Sequence, residues 1–183
     1  KRATALALAP QLTLGQADAA RDAQALTAVA HAALAFTPMV VIQPPGAAAG
    51  ASTAGAAPHT ALLEVQASLR YFGGLGALLQ RLHAALVPLG HCLHTVSAST
   101  ASGAALLARV HPALHCADLA ATQHALAAAP VWLLGSGWAH REALQGMGLH
   151  TLADLQRVPR DGLARRFGVA LLSEFDRAMG TRP

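Results

Sequence analysis

Through residues 16–36, Ala, Leu, Val and Phe recur at helical spacing with few breakers before Thr37-Pro38, and the pattern predicts one amphipathic helix. Met39-Val40-Val41-Ile42 is a short apolar run between prolines, which suits a buried strand. Residues 44–58 consist only of Pro, Gly, Ala, Ser and Thr, cannot pack a core, and are expected to form a flexible connection. A strand over 60–66, a turn at Arg70-Tyr71-Phe72-Gly73-Gly74 and a helix over 75–88 follow. Leu78, Leu79, Leu82 and Leu86 give that helix its apolar stripe, with Leu89 just beyond. Residues 91–98 read as a strand and 100–109 as a helix. The order strand, strand, helix, strand, helix predicts an α+β domain with helices on one face of a sheet. A break near Ala129-Pro130 opens a different region, 131–183, of short helices and Gly-rich turns.

Composition narrows this picture. At 183 residues the chain can bury one sizeable core, or a medium core plus a small helical unit. Alanine inflates both the 54% hydrophobic content and the mean hydropathy of +0.39. One Lys against twelve Arg, no Asn and a single Ile (Ile42) point to a GC-rich coding bias, which weakens propensity arguments. The net charge of +4 permits a polyanionic partner without requiring one. Seven of the thirteen basic residues follow position 140, so a nucleic-acid footprint is expected at that end.

No apolar run approaches the roughly 18–20 residues of a spanning helix, so the expectation is a soluble, cytoplasmic protein with no membrane partner. The start, Lys1 to Pro10, superficially mimics a secretory signal, but its apolar part is short and mostly alanine. A fragment beginning inside a domain is expected instead. Cys92 and Cys116 make no disulfide framework and suit a reducing compartment.

Ten histidines include His91-Cys92-Leu93-His94 and His111-Pro112-Ala113-Leu114-His115-Cys116. Four such residues can in principle bind zinc, but on a strand His91 and His94 point to opposite faces, and no Cys-x-x-Cys pair exists. No metal site and no cofactor is expected. Neither a nucleophile elbow nor a Gly-Lys-Ser/Thr phosphate loop is present.

Between Ala23 and Ala117 the only carboxylate is Glu64, inside Leu62-Leu63-Glu64-Val65-Gln66-Ala67-Ser68-Leu69-Arg70-Tyr71-Phe72-Gly73-Gly74. This run, preceded by Phe36-Thr37-Pro38, resembles the strand-and-turn signature of the palm of the Y-family (translesion) DNA polymerases, and among them the ImuB-type members. In catalytic members an adjacent Asp-Glu pair lies a few residues before the Leu-acid-Val and helps hold two magnesium ions. Two-metal phosphoryl transfer needs anionic oxygen ligands to hold the ions together at the phosphate. Here the matching stretch is Pro58-His59-Thr60-Ala61, and residues 23–63 contain no carboxylate in any register. By the resemblance Glu64 matches a family acid that lies past the catalytic pair, and it reads as a structural strand residue rather than a metal ligand.

A second departure lies in Val96 to Arg109. Catalytic relatives carry an Asn-Lys pair early in this strand-to-helix motif, and its Lys meets the incoming triphosphate; the aligned positions here are Ala101 and Ser102. Losing a cation beside a polyphosphate removes a charge-assisted contact. Both departures imply an inactive polymerase fold, with His59, Thr60, Ala101 and Ser102 as degenerate positions.

Leu133-Leu134-Gly135-Ser136-Gly137-Trp138, followed by a helix over 139–146, and Gly146-Met147-Gly148-Leu149-His150-Thr151, opening a helix over 151–157, resemble helix-hairpin-helix elements of the family's thumb. A Gly-x-Gly turn lets backbone amides approach a phosphate, and a helix N-terminus favours the anion. Such contacts position DNA without reading bases. The expected DNA-binding residues are Gly135, Gly137, Arg141, Gly146, Gly148, Thr151, Arg165 and Arg166. Binding to the duplex backbone should be weak and non-specific, because Glu142, Asp154 and Asp161 are interspersed.

The resemblance implies the end of a palm-inserted helical segment over 1–15, a palm-like domain over 16–129 and a thumb-like helix-hairpin-helix domain over 130–183. It also implies a scaffold role in SOS-induced translesion mutagenesis. An error-prone C-family polymerase, a RecA-like accessory protein and the sliding clamp would be engaged through regions outside this chain. Two other readings remain open. One is an active translesion polymerase with metal ligands from outside this chain; the other is a generic helix-hairpin-helix DNA-binding protein.

Overall fold

Asp18 caps a helix: its carboxylate accepts from the Ala20 and Arg21 amides, at 3.0 Å each. The computed structural model describes residues 2–13, 18–43 and 60–182. The expected connection over 44–58 and the degenerate position His59 lie outside the described residues. The fold is α+β, with helix predominating.

Helix α1 spans Arg2–Leu8 and α2 spans Ala19–Ala33. The predicted helix over 16–36 is shorter because Leu34–Phe36 turn the chain toward Thr37. The buried Thr37 hydroxyl donates to the Glu64 carbonyl and accepts from the Met39 amide at 3.2 Å. That pins the turn onto strands β1 (Val40–Gln43) and β2 (Thr60–Leu63), which pair antiparallel with Val40 opposite Leu63. β2 ends at Leu63 rather than 66, because Gln66–Ser68 form a 3₁₀ turn leading into α3 (Leu69–Phe72).

Gly73 (φ +81°) and Gly74 (φ +107°) then reverse the chain, a conformation closed to side chains without strain. Helix α4 (Leu75–Leu86) buries Leu78, Leu82 and Leu86 along one face. With Ala33 and Phe36 they make a small core, onto which the partly buried Leu63, Leu69 and Phe72 pack.

Strand β3 (Thr95–Ser97) pairs parallel with β4 (Ala113–His115), and α5 (Ala101–Ala108) is the crossover between them. The single sheet expected from the strand order is therefore two separate two-stranded sheets among the described residues. β3 found a nearer partner in β4, whose three residues are too short to show as a period-2 pattern. Residues 91–94, expected in a strand, are irregular. His94 instead places Nδ1 2.8 Å from the Ala108 carbonyl.

The remaining helices are α6 (Leu119–Ala127), α7 (Gly135–Ala139), α8 (Arg141–Gly146), α9 (Leu152–Arg157), α10 (Arg160–Phe167) and α11 (Val169–Met179). The expected helix 139–146 is α8, starting at Arg141, and the Gly135–Gly137 stretch expected as a turn is helix α7. Leu106, Leu107 and Leu126 share the larger core with Leu133, Leu152, Leu171 and residues up to Met179. The boundary expected at 130 lies inside this core. The main chain runs through it as a ladder: Val131 N–H donates to His150 and Leu152 N–H to Ala129, both at 2.9 Å. The composition break at Ala129-Pro130 marks a change of local structure, not of packing.

Candidate nucleic-acid interface

Glycines that look alike in the sequence serve different ends. Gly135 and Gly137 are buried in α7, and a β-carbon on Gly137 would lie 2.0 Å from the Val131 carbonyl oxygen. Close helix-to-turn packing therefore requires the glycine. The amide end of α7 already faces an anion of the chain's own. Ser136 N–H lies 3.3 Å from both Glu174 carboxylate oxygens, and its hydroxyl donates to Oε1 at 2.7 Å.

The Gly146–Gly148 turn is open. Gly146 ends α8, Gly148 (φ +75°) makes the turn, and a β-carbon on either would meet nothing within 4 Å. The Gly148 amide donates to Gln145 at 2.9 Å and the Leu149 amide to Leu144 at 3.0 Å, closing the end of α8. Thr151 caps α9 in a capping box with Asp154. One Asp154 oxygen accepts from the His150 amide (3.0 Å), the Thr151 amide (2.9 Å) and the Thr151 hydroxyl (2.9 Å). These bonds, led by the Thr151 amide, hold the Asp154 pKa below its ordinary value, and the Arg157 charge adds to the effect. The Ser136, His150 and Thr151 amides thus already face carboxylates of the chain, and further positive charge comes from arginine side chains.

Those arginines divide by partner. Arg160 pairs with the buried Asp176 at 2.5 Å, a hydrogen bond that raises its pKa, and Arg157 lies 3.7 Å from Asp154. Arg109 is spent inside, donating to the Leu133 carbonyl at 2.6 Å, and burial lowers its pKa. Arg141, Arg165, Arg166, Arg177 and Arg182 have no carboxylate partner among the described residues. Arg141 stacks 4.6 Å over Trp138, which meets Trp132 edge-on at 6.2 Å. The His140 ring lies 5.4 Å from Phe167, so Arg141 at the start of α8 and the exposed Arg165–Arg166 pair at the end of α10 flank one junction.

Trp132, Trp138, Glu174, Arg177 and Arg182 were not among the expected site residues. The two tryptophans were detectable, since the chain has only two and they stand six residues apart. Nothing in the sequence pairs Glu174 with Ser136.

Of the positions expected to be degenerate, Thr60, Ala101 and Ser102 fall in adjoining elements, since α5 packs beside β2. Thr60 starts β2, and Ala101 and Ser102 open α5. Thr100 caps that helix, accepting from Gly103 N–H at 3.0 Å while donating to the Ala178 carbonyl at 2.7 Å. Glu64 turns its carboxylate to the Gln66 amide at 2.7 Å, a local structural bond. Among the described residues no three His, Cys, Asp or Glu side chains converge, and no helix is long and apolar enough to cross a membrane.

No family model matches the chain, and no solved structure matches it. Protein ImuB from two strains of Caulobacter vibrioides is 32% identical over 180 residues, 98% of this chain. The chain spans 36% of the length of those relatives.

Proposed function

This chain is a relative of ImuB across 98% of its length, and from that premise we propose that it is the DNA-binding, non-catalytic polymerase-like part of a DNA damage-tolerance protein. The observation that carries the reading is the absence of any carboxylate between residues 23 and 63, where an active palm needs its pair. Ala101 and Ser102, where the nucleotide-binding Lys is expected, support it. The reading treats 16–129 as palm-like and 130–183 as thumb-like in descent, although one core spans residues on both sides of 130. The error-prone C-family polymerase, the RecA-like accessory protein and the sliding clamp belong to the same proposal. So do the SOS context and a cytoplasmic, nucleoid-associated location.

DNA is held at the junction of α8 and α10. Arg141, Arg165 and Arg166 supply charge, and the bare turn at Gly146 and Gly148 lets a phosphate backbone come close. Neutralising about three phosphates gives a log–log salt slope near −3. Duplex binding followed by anisotropy across a salt series tests this. Arg165→Ala with Arg166→Ala should weaken binding and reduce the slope by about 2. An unchanged slope sinks the interface. Primer extension with magnesium or manganese should yield no product, and template-directed synthesis by the chain would overturn the non-catalytic reading.

A further inference from the structure

A second surface lies on the smaller core, apart from the arginine-rich helices. The turn at 34–38 and the stretch 67–72 form the walls of an open apolar groove of about 330 Å³. Its floor is the stacked pair Phe36 and Phe72, with ring centroids 5.3 Å apart. Tyr71 stands at its edge, 83% exposed and edge-on to Phe72 at 5.0 Å. Leu34 and Met39, 51% and 59% exposed, extend the apolar surface along the turn. The Thr37 bonds to Glu64 and Met39 fix that wall in place, so the groove is preformed.

Two arginines adjoin its aromatic residues without lining it. Arg70 is exposed beside Tyr71, and the exposed Arg81 lies 5.7 Å from the Phe72 ring centroid. Neither has a carboxylate partner among the described residues, and Glu64, the one acid between Ala23 and Ala117, is bonded to the Gln66 amide. We propose that this groove docks an acidic segment of a partner protein, seating one bulky apolar side chain between Tyr71 and Leu34 with its carboxylates toward Arg70 and Arg81.

Exposed aromatic and aliphatic groups over a fixed apolar floor mark a docking site when polar groups adjoin them. The charge of the two arginines selects the partner's sign. A nucleic-acid strand fits less well. Two arginines are too few to track a phosphate backbone, and of the three rings only Tyr71 is exposed, where a stacking platform needs successive open aromatic faces. The inference is independent of DNA binding at α8 and α10.

Selection of displayed random 12-residue peptides on the whole chain tests it. The enriched peptides should combine Leu, Phe or Trp with Asp or Glu, and a synthetic copy should bind the protein in anisotropy. Tyr71→Ala, and separately Arg81→Glu, should each weaken that peptide at least tenfold with an unchanged circular dichroism spectrum. Leu34→Asp, on the opposite wall, provides a second exposed test position. Failure to enrich any peptide, enrichment of basic peptides, or equal binding by these variants would overturn the proposal. So would a dT oligonucleotide whose binding is lost with Tyr71→Ala, since that identifies a nucleic-acid surface. Arg165→Ala with Arg166→Ala should leave peptide binding unchanged, so failure of this site is distinguishable from failure of the DNA interface.

Discussion

A β-carbon at Gly137 would lie 2.0 Å from the Val131 carbonyl oxygen, whereas one at Gly146 would meet nothing within 4 Å. Gly137→Ala should therefore cost on the order of 1–3 kcal/mol or more through overpacking, and thermal melts should show it. Gly146→Ala should leave the melting temperature unchanged or raise it, since removing a glycine from a compatible helix position gains about 0.4–1 kcal/mol. If the bare turn meets phosphate, the same substitution weakens duplex binding without any loss of fold. Asp154 gives a pH prediction. A carboxylate whose pKa falls on folding adds stability above its ordinary value of 3.8, and that stability is lost as pH drops through the folded value. Asp154→Asn should lower stability at neutral pH and flatten the acid limb of unfolding. An acid limb as steep as in the unsubstituted protein would show that the cap contributes nothing.

At the scale of elements, Thr100 joins two helices distant in sequence. Its hydroxyl both caps α5 and donates to the Ala178 carbonyl of α11. Thr100→Val removes both bonds and should cost about 1–2 kcal/mol in urea unfolding. An unchanged midpoint would mean that water replaces both bonds without loss. The elements differ in how readily the sequence announces them. α4 was legible because Leu78, Leu82 and Leu86 repeat on one face. β2 and the turn at Gly73–Gly74 were legible because strand chemistry and glycine chemistry adjoin. β4 was not, since three residues carry no period, and with it went the true partner of β3. In the candidate site, the Gly-x-Gly spacing marked a turn at Gly146–Gly148, but at Gly135–Gly137 it stands inside helix α7. It could not tell a glycine packed on a carbonyl from one facing solvent, because that depends on the approach of Val131 to Gly137, which no spacing announces.

For the whole molecule, two cores imply two stabilities. Leu78 is fully buried in the smaller core, so Leu78→Ala should cost about 2–5 kcal/mol there. Amide exchange should rise across 19–89 while α11 stays protected, and Trp132 and Trp138, which lie with the larger core, should keep their unfolding midpoint. A common shift of both regions would show that the cores unfold as one unit. The Leu152 bond to Ala129, the Arg109 bond to Leu133 and the Thr100 bond to Ala178 all cross residue 130. A segment that swings as a separate body needs a hinge where it joins the rest, and residue 130 is instead a weld. A cut at 130 would leave two half-cores, each exposing leucines that the other should cover.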